Sequence, residues 1–121
     1  MKIYNMTQHA LLPSQLADGL LEFSDETHRR IRKLMTFEEL PEAAEIENRA
    51  EQMATLAAEY SADGVMIGGA PYLMPALRAA LRNRGVRAFY AFSIRRSKDI
   101  KMPDGTMEKH ACFQYLGLVE Y

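Results

Sequence analysis

The chain has a single cysteine, Cys112, and no tryptophan. One thiol cannot build an intramolecular disulfide framework, and three scattered histidines add no zinc spacing to it. Such sparing use of cysteine fits a reducing, cytoplasmic setting. An excess of charge is also missing, since 15 basic residues face 16 acidic ones. No overall field therefore draws the chain to long nucleic acid or to an acidic membrane, while a small anionic ligand in a local pocket stays compatible. No apolar run approaches a membrane span, and the N-terminus carries no basic-then-apolar signal. Without internal repeats or low-complexity linkers, 121 residues read as one domain over 1–121.

What is present is an alternation of strand-like and helix-like stretches. Lys2-Ile3-Tyr4 is short, apolar and β-favouring, and the polar cluster Asn5-Met6-Thr7-Gln8-His9 follows it. Pro13 to Gly19 reads as a brief helix, and Leu20 to Phe23 as a short second strand. Ser24-Asp25 offers an N-cap to a helix with Ile31, Leu34 and Met35 on one face and Arg29, Arg30, Arg32 and Lys33 on the other. That basic cluster is most simply a solvated face. Thr36 with Glu39 suggests a capping box that Pro41 limits to one turn. Ile46, Ala50, Met53, Ala57 and Tyr60 then predict a core-packing helix over 41–60.

Gly64-Val65-Met66-Ile67 is continuously apolar, as a buried parallel strand would be. Gly68-Gly69-Ala70-Pro71 leads from it into a helix marked by Leu73, Met74, Leu77, Ala80 and Leu81, ending at Arg84-Gly85. Val86 to Phe92 is a third strand, and strand, helix, strand of this length implies a right-handed crossover. Pro103-Asp104-Gly105 is a turn signal whose flanks, 95–101 and 106–115, pair as a hairpin. The predicted fold is thus α/β, a Rossmann-like three-layer sandwich with a mostly parallel central sheet and a C-terminal antiparallel hairpin.

In such sheets ligands bind at strand carboxyl ends. Three polar clusters fall there: Asn5, Thr7, Gln8 and His9; the Gly68-Gly69 turn; and Ser93, Arg95, Arg96 and Lys98. Arginine and lysine neutralise phosphate, free backbone N–H groups cradle it, and Asn or Gln can read a base edge. Tyr72 and Phe92 are aromatic groups able to stack on a base, although Phe92 also suits a core. Paired carboxylates, a nucleophile elbow and an acidic metal cluster are missing, so no metal or cofactor is expected. The compatible reaction is metal-independent phosphodiester cleavage by an RNA 2′-hydroxyl, with His9 moving a proton, Thr7 beside it, and Arg95 or Lys98 stabilising developing charge. Bland readings stand beside these. Asn and Thr are ordinary turn and cap residues, and tight strand-to-helix turns need glycine for steric reasons alone. Cys112 reads as a packing residue, and His28 and His110 show no partner from spacing.

The pattern Asn5, His9, Pro13, Gln15, the Gly-Gly-Ala-Pro turn and the basic hairpin ending in an apolar strand resemble the small CRISPR-associated Rossmann-fold proteins, in particular the compact single-domain group linked to ring-nuclease activity. The resemblance covers most of the chain. It implies a homodimer with a cyclic oligonucleotide second messenger held across the two-fold axis, its cleavage in antiviral signalling, and ligand-side positions Asn5, Thr7, His9, Gly68 and Gly69. The segment from Glu22 to Pro41 departs from that group by its length. Two rival readings are a non-catalytic sensor or sponge for the same signal, and a small dimeric interaction protein built on the hairpin edge.

Overall fold

The computed structural model describes residues 1–121. Alternation along the first strand, β1 (Ile3–Met6), sends Tyr4 and Met6 to one face and Ile3 and Asn5 to the other. β2 (Gly64–Ile67) pairs with it in parallel, Tyr4 opposite Val65 and Met6 opposite Ile67. β3 (Arg87–Lys101) continues the parallel sheet beside β2, and β4 (Met107–Glu120) runs antiparallel to β3, giving the order β1-β2-β3-β4. Between the strands lie α1 (Pro13–Ala17), α2 (Asp25–Met35), α3 (Ala43–Glu59) and α4 (Met74–Asn83). The fold is α/β, with a mostly parallel sheet closed by an antiparallel pair. No helix is long and apolar enough to cross a membrane.

The two faces of the sheet are covered unequally. Met6, Val65, Ile67 and Ala88 meet Ile31 and Met35 of α2, Met53 and Ala57 of α3, and Leu77 and Leu81 of α4 in one buried core. Each Val, Leu, Ile or Met side chain among them contributes roughly 1.5–3 kcal/mol when fully buried. The opposite face has only a small cluster, Leu11, Leu20 and Met66 with Ile3 and Leu118, beneath the single-turn α1. The second helical layer expected of a sandwich is therefore reduced to α1. Gly64 is required where it stands, because a Cβ there would lie 2.6 Å from Phe89 Cε2.

α2 and α3 are joined at one corner. Ser24 caps α2 by accepting the Thr27 N–H at 3.2 Å. The Tyr60 hydroxyl, at the end of α3, lies 2.9 Å from Ser24 Oγ and 3.0 Å from Thr27 Oγ1, and these bonds hold its pKa below the ordinary phenol value. The Tyr60 ring meets Tyr4 and Phe23 edge-on, which fixes the helices to β1.

Several boundaries differ from the sequence reading. The first strand extends through Met6, so Asn5 lies inside it. The predicted strand at 20–23 shrinks to one bridge between Leu21 and Tyr4. Thr36 closes α2, its hydroxyl donating to the Arg32 carbonyl at 2.8 Å, and starts no further turn. The third strand and the hairpin are one continuous element interrupted by a bulge at Phe92/Ser93. Beyond it, nine rungs from Ser93↔Tyr115 to Lys101↔Met107 form an arm about 30 Å long. Between 95 and 114 every residue except Met102 is exposed, including Cys112, which does not pack as expected. Phe92 at the arm's base is half exposed as well.

Candidate functional site

β1 and β2 are adjacent and parallel, yet their chains leave in opposite directions: the loop after β1 feeds α1 on one face, the loop after β2 feeds α4 on the other. Connections that part in this way open a crevice at the strand carboxyl ends. Here it has a volume of about 530 Å³ and is bordered by Thr7, Gln8, His9 and Ala10 from the first loop and by Gly68 and Gly69 from the second. Met66 and Ile67 form its floor with Leu12 and Gln15 of the α1 region and Tyr90 and Ala91 of β3.

Asn5 organises the first loop from below. It is fully buried, and its carboxamide is saturated: Nδ2 donates to the His9 carbonyl at 2.6 Å and to Glu22 Oε1 at 2.8 Å, while Oδ1 accepts from the Thr7 N–H at 3.0 Å and the Thr7 hydroxyl at 2.6 Å. A buried amide is tolerated when all its groups are paired. Glu22 Oε2 also accepts the Leu11 N–H at 2.9 Å, so one carboxylate clamps both ends of the loop. From the other side His28 Nε2 lies 2.9 Å from the Thr7 carbonyl. A carbonyl only accepts, so Nε2 carries the proton in this bond.

The second loop is shaped by glycine. Gly69 adopts φ +147°, and a Cβ there would come within 2.8 Å of Met35 Cε. α2 thus touches both loops, through His28 at Thr7 and Met35 at Gly69, and fixes their separation. The backbone N–H groups of Gln8, Ala10, Gly68 and Gly69 donate to no other protein group, though all four residues line the crevice. Such unpaired N–H groups on two loops that border one crevice favour the oxygens of an anion. No Lys, Arg, Asp or Glu lines the crevice, and His9, whose ring has no hydrogen-bond partner in the chain, is its only imidazole. No three His, Cys, Asp or Glu side chains gather where one ion would hold them.

Of the residues expected to converge, Thr7, Gln8, His9, Gly68 and Gly69 do so. Asn5 supports the loop and presents no free polar group. Tyr72 packs edge-on against Phe37, 5.3 Å between ring centroids, outside the crevice lining. Ser93, Arg95, Arg96 and Lys98 lie on the arm. β3 continues through them past the Phe92/Ser93 bulge, which places Arg95 up to about 13 Å along the strand from Ala91 at the crevice edge. The rungs put Ser93 and Arg95 on one face of the arm and Arg96 and Lys98 on the other, with Arg96 bonded to Gln114. The sequence reading gave no role to Glu22 or His28, and no spacing signals either, because their partners lie 17 and 21 residues away. Gln15, also passed over as a site residue, had a local signal: a Gln at the third position of a helix that opens with Pro13.

The chain belongs to the family described as the uncharacterized protein MJ1673 family, whose model matches residues 1–119. No curated protein and no solved structure matches it.

Proposed function

We propose that the crevice binds a phosphorylated ligand of the nucleotide class, a cyclic oligonucleotide second messenger in the form the ring-nuclease resemblance suggests, and that His9 moves a proton in its metal-independent cleavage. The observation that carries this reading is the set of four unpaired N–H groups at a crevice between diverging strand connections. In the cleavage step a ligand 2′-hydroxyl loses its proton to His9 and attacks the adjacent phosphorus. The bond to the 5′-oxygen breaks, that oxygen takes up a proton, and a 2′,3′-cyclic phosphate remains. The free N–H groups stabilise charge on the phosphoryl oxygens. Arg95 lies too far along the arm to act in its own crevice. Incubation with cyclic oligoadenylates in chelator, followed by chromatography of bound and cleaved species, tests the proposal. Linear or shorter products that vanish in His9→Ala support cleavage; retention without products makes the protein a sensor or sponge; the absence of both retention and products overturns the reading.

A second reading, a homodimer built on the arm, is favoured by a separate observation. A two-stranded hairpin standing alone is marginal in water, yet this arm has both faces and the outer edge of β4 uncovered, with Phe113, Met107 and Ile100 exposed. A second copy fits by charge. The arm carries Arg95, Arg96, Lys98, Lys101 and Lys109 against Asp99, Asp104 and Glu108, whereas residues 38–51 present six glutamates and only Arg49. Two arms each laid on the other copy would bury on the order of 1,200 Å², at the low end for a specific interface. Light scattering tests this: the intact chain is expected as a dimer, a chain whose arm is cut back to a short turn after Ser93 as a monomer. A monomeric intact chain overturns it.

A further inference from the structure

We infer that Gln15 reads the uncharged, planar part of the ligand, by donating a hydrogen bond from its amide nitrogen to a ring-nitrogen acceptor of the base. The inference rests on the proposal above that the crevice takes a nucleotide. Gln15 is only 6 % exposed and lines the crevice floor. Its orientation is fixed, because Oε1 accepts the Leu12 N–H at 2.9 Å and a reversed amide would set donor against donor. The nitrogen therefore points away from α1, and its one partner is the Met66 sulfur at 3.8 Å, a weak acceptor. An amide nitrogen has two hydrogens, so at least one of them has no partner within the chain.

Neither packing alone nor capping alone explains this choice of residue. A leucine would fill the same space beside Leu11 and Met66 without burying a donor. Capping alone would be met as well by glutamate, which keeps the acceptor for Leu12 and suits a helix start. What glutamate lacks is the donor, and its charge would repel a phosphorylated ligand. The rest of the lining adds the four unpaired N–H donors, while Met66, Ile67 and the Tyr90 ring provide apolar surface for a flat base. A ligand rich in acceptors at both its phosphate and its base matches that surface.

The test uses adenosine monophosphate and its 1-deaza, 3-deaza and 7-deaza analogues, each replacing one ring-nitrogen acceptor by C–H, with calorimetric titration of the intact chain. The wild type is expected to bind one analogue about tenfold to a hundredfold more weakly than the parent. Gln15→Glu, which keeps shape and the Leu12 bond, is expected to lose at least that factor on the parent nucleotide, its charge adding repulsion to the lost donor, and to stop distinguishing that analogue. Equal binding of all three analogues by the wild type overturns the inference without any variant. So does a Gln15→Glu chain that unfolds at the wild-type temperature and binds the parent normally. In both cases the nucleotide reading survives, whereas a wild type that binds neither the parent nucleotide nor cyclic oligoadenylates overturns both.

Discussion

Replacing Asn5 probes the loop network through two substitutions with different signatures. Asn5→Ala deletes both bonds to Thr7 and the two donated to His9 and Glu22. The Glu22 carboxylate and the region around His9 are exposed and regain water, so the bonds to half-buried Thr7 dominate the loss, about 3 kcal/mol in all. Asn5→Asp keeps the acceptor for Thr7 but sets a carboxylate oxygen 2.8 Å from Glu22 Oε1 and 2.6 Å from the His9 carbonyl, where a donor had been. At pH 7 that buried, repelled charge is expected to cost about 2 kcal/mol more than the alanine does. Burial and Glu22 both raise the new carboxyl's pKa in the folded state. The extra penalty is therefore full above that raised pKa, and it disappears as pH falls toward the unfolded-state value of about 3.9. Urea unfolding at pH 7 and at pH 4.5 measures the differences. Asn5→Asp as stable as Asn5→Ala at pH 7, or a gap that widens on acidification, would refute the reasoning; so would Asn5→Ala within about 0.5 kcal/mol of the wild type.

Three further outcomes follow from single contacts. Tyr115 donates to Asp18 Oδ2 at 2.9 Å, and burial, then that bond, pushes its pKa from 10.0 up to about 12. Because the folded value is the higher one, this contribution is intact below pH 10 and is lost as pH rises to 12; Tyr115→Phe should cost about 1 kcal/mol at pH 7 and flatten the alkaline fall in melting temperature. Gly64→Ala places a methyl group 2.6 Å from Phe89 Cε2 and 3.1 Å from the Arg87 carbonyl, and should cost about 1–3 kcal/mol by chemical denaturation. Gly69→Ala should cost about 1 kcal/mol through its φ of +147° and weaken cyclic oligoadenylate binding by shifting the second loop; a thermally destabilised variant with unchanged binding would separate that loop from the site.

Much of the fold was legible because periodicity is local. Ile46, Ala50, Met53 and Ala57 predicted α3 to within two residues at its start, and the apolar run 64–67 with its glycine turn predicted β2 and the loop that borders the crevice. Asn5 was misjudged because an amide's burial depends on partners, and Glu22, its farthest, lies 17 residues on. The cluster Arg95 to Lys98 resembles a strand end because charges rarely continue a sheet. Here they do, since both faces of the arm are open in one chain and rungs such as Arg95↔Phe113 exclude no water from the charge. The third rim cluster therefore lies along the arm and outside the crevice lining. The helical layer over the second face was overestimated for a related reason: α1 is a single turn, and Leu11, Leu20 and Met66 make a core too small to require more.

The most direct test of the central claim follows the backbone amides of Gln8, Ala10, Gly68 and Gly69 by nuclear magnetic resonance while cyclic oligoadenylate is titrated into the intact chain. Saturable shifts at these four amides, reaching their plateau together, are expected if the diverging loops hold the ligand's phosphates. Shifts confined to the arm or to the basic face of α2, or no shifts at millimolar ligand, would contradict the account.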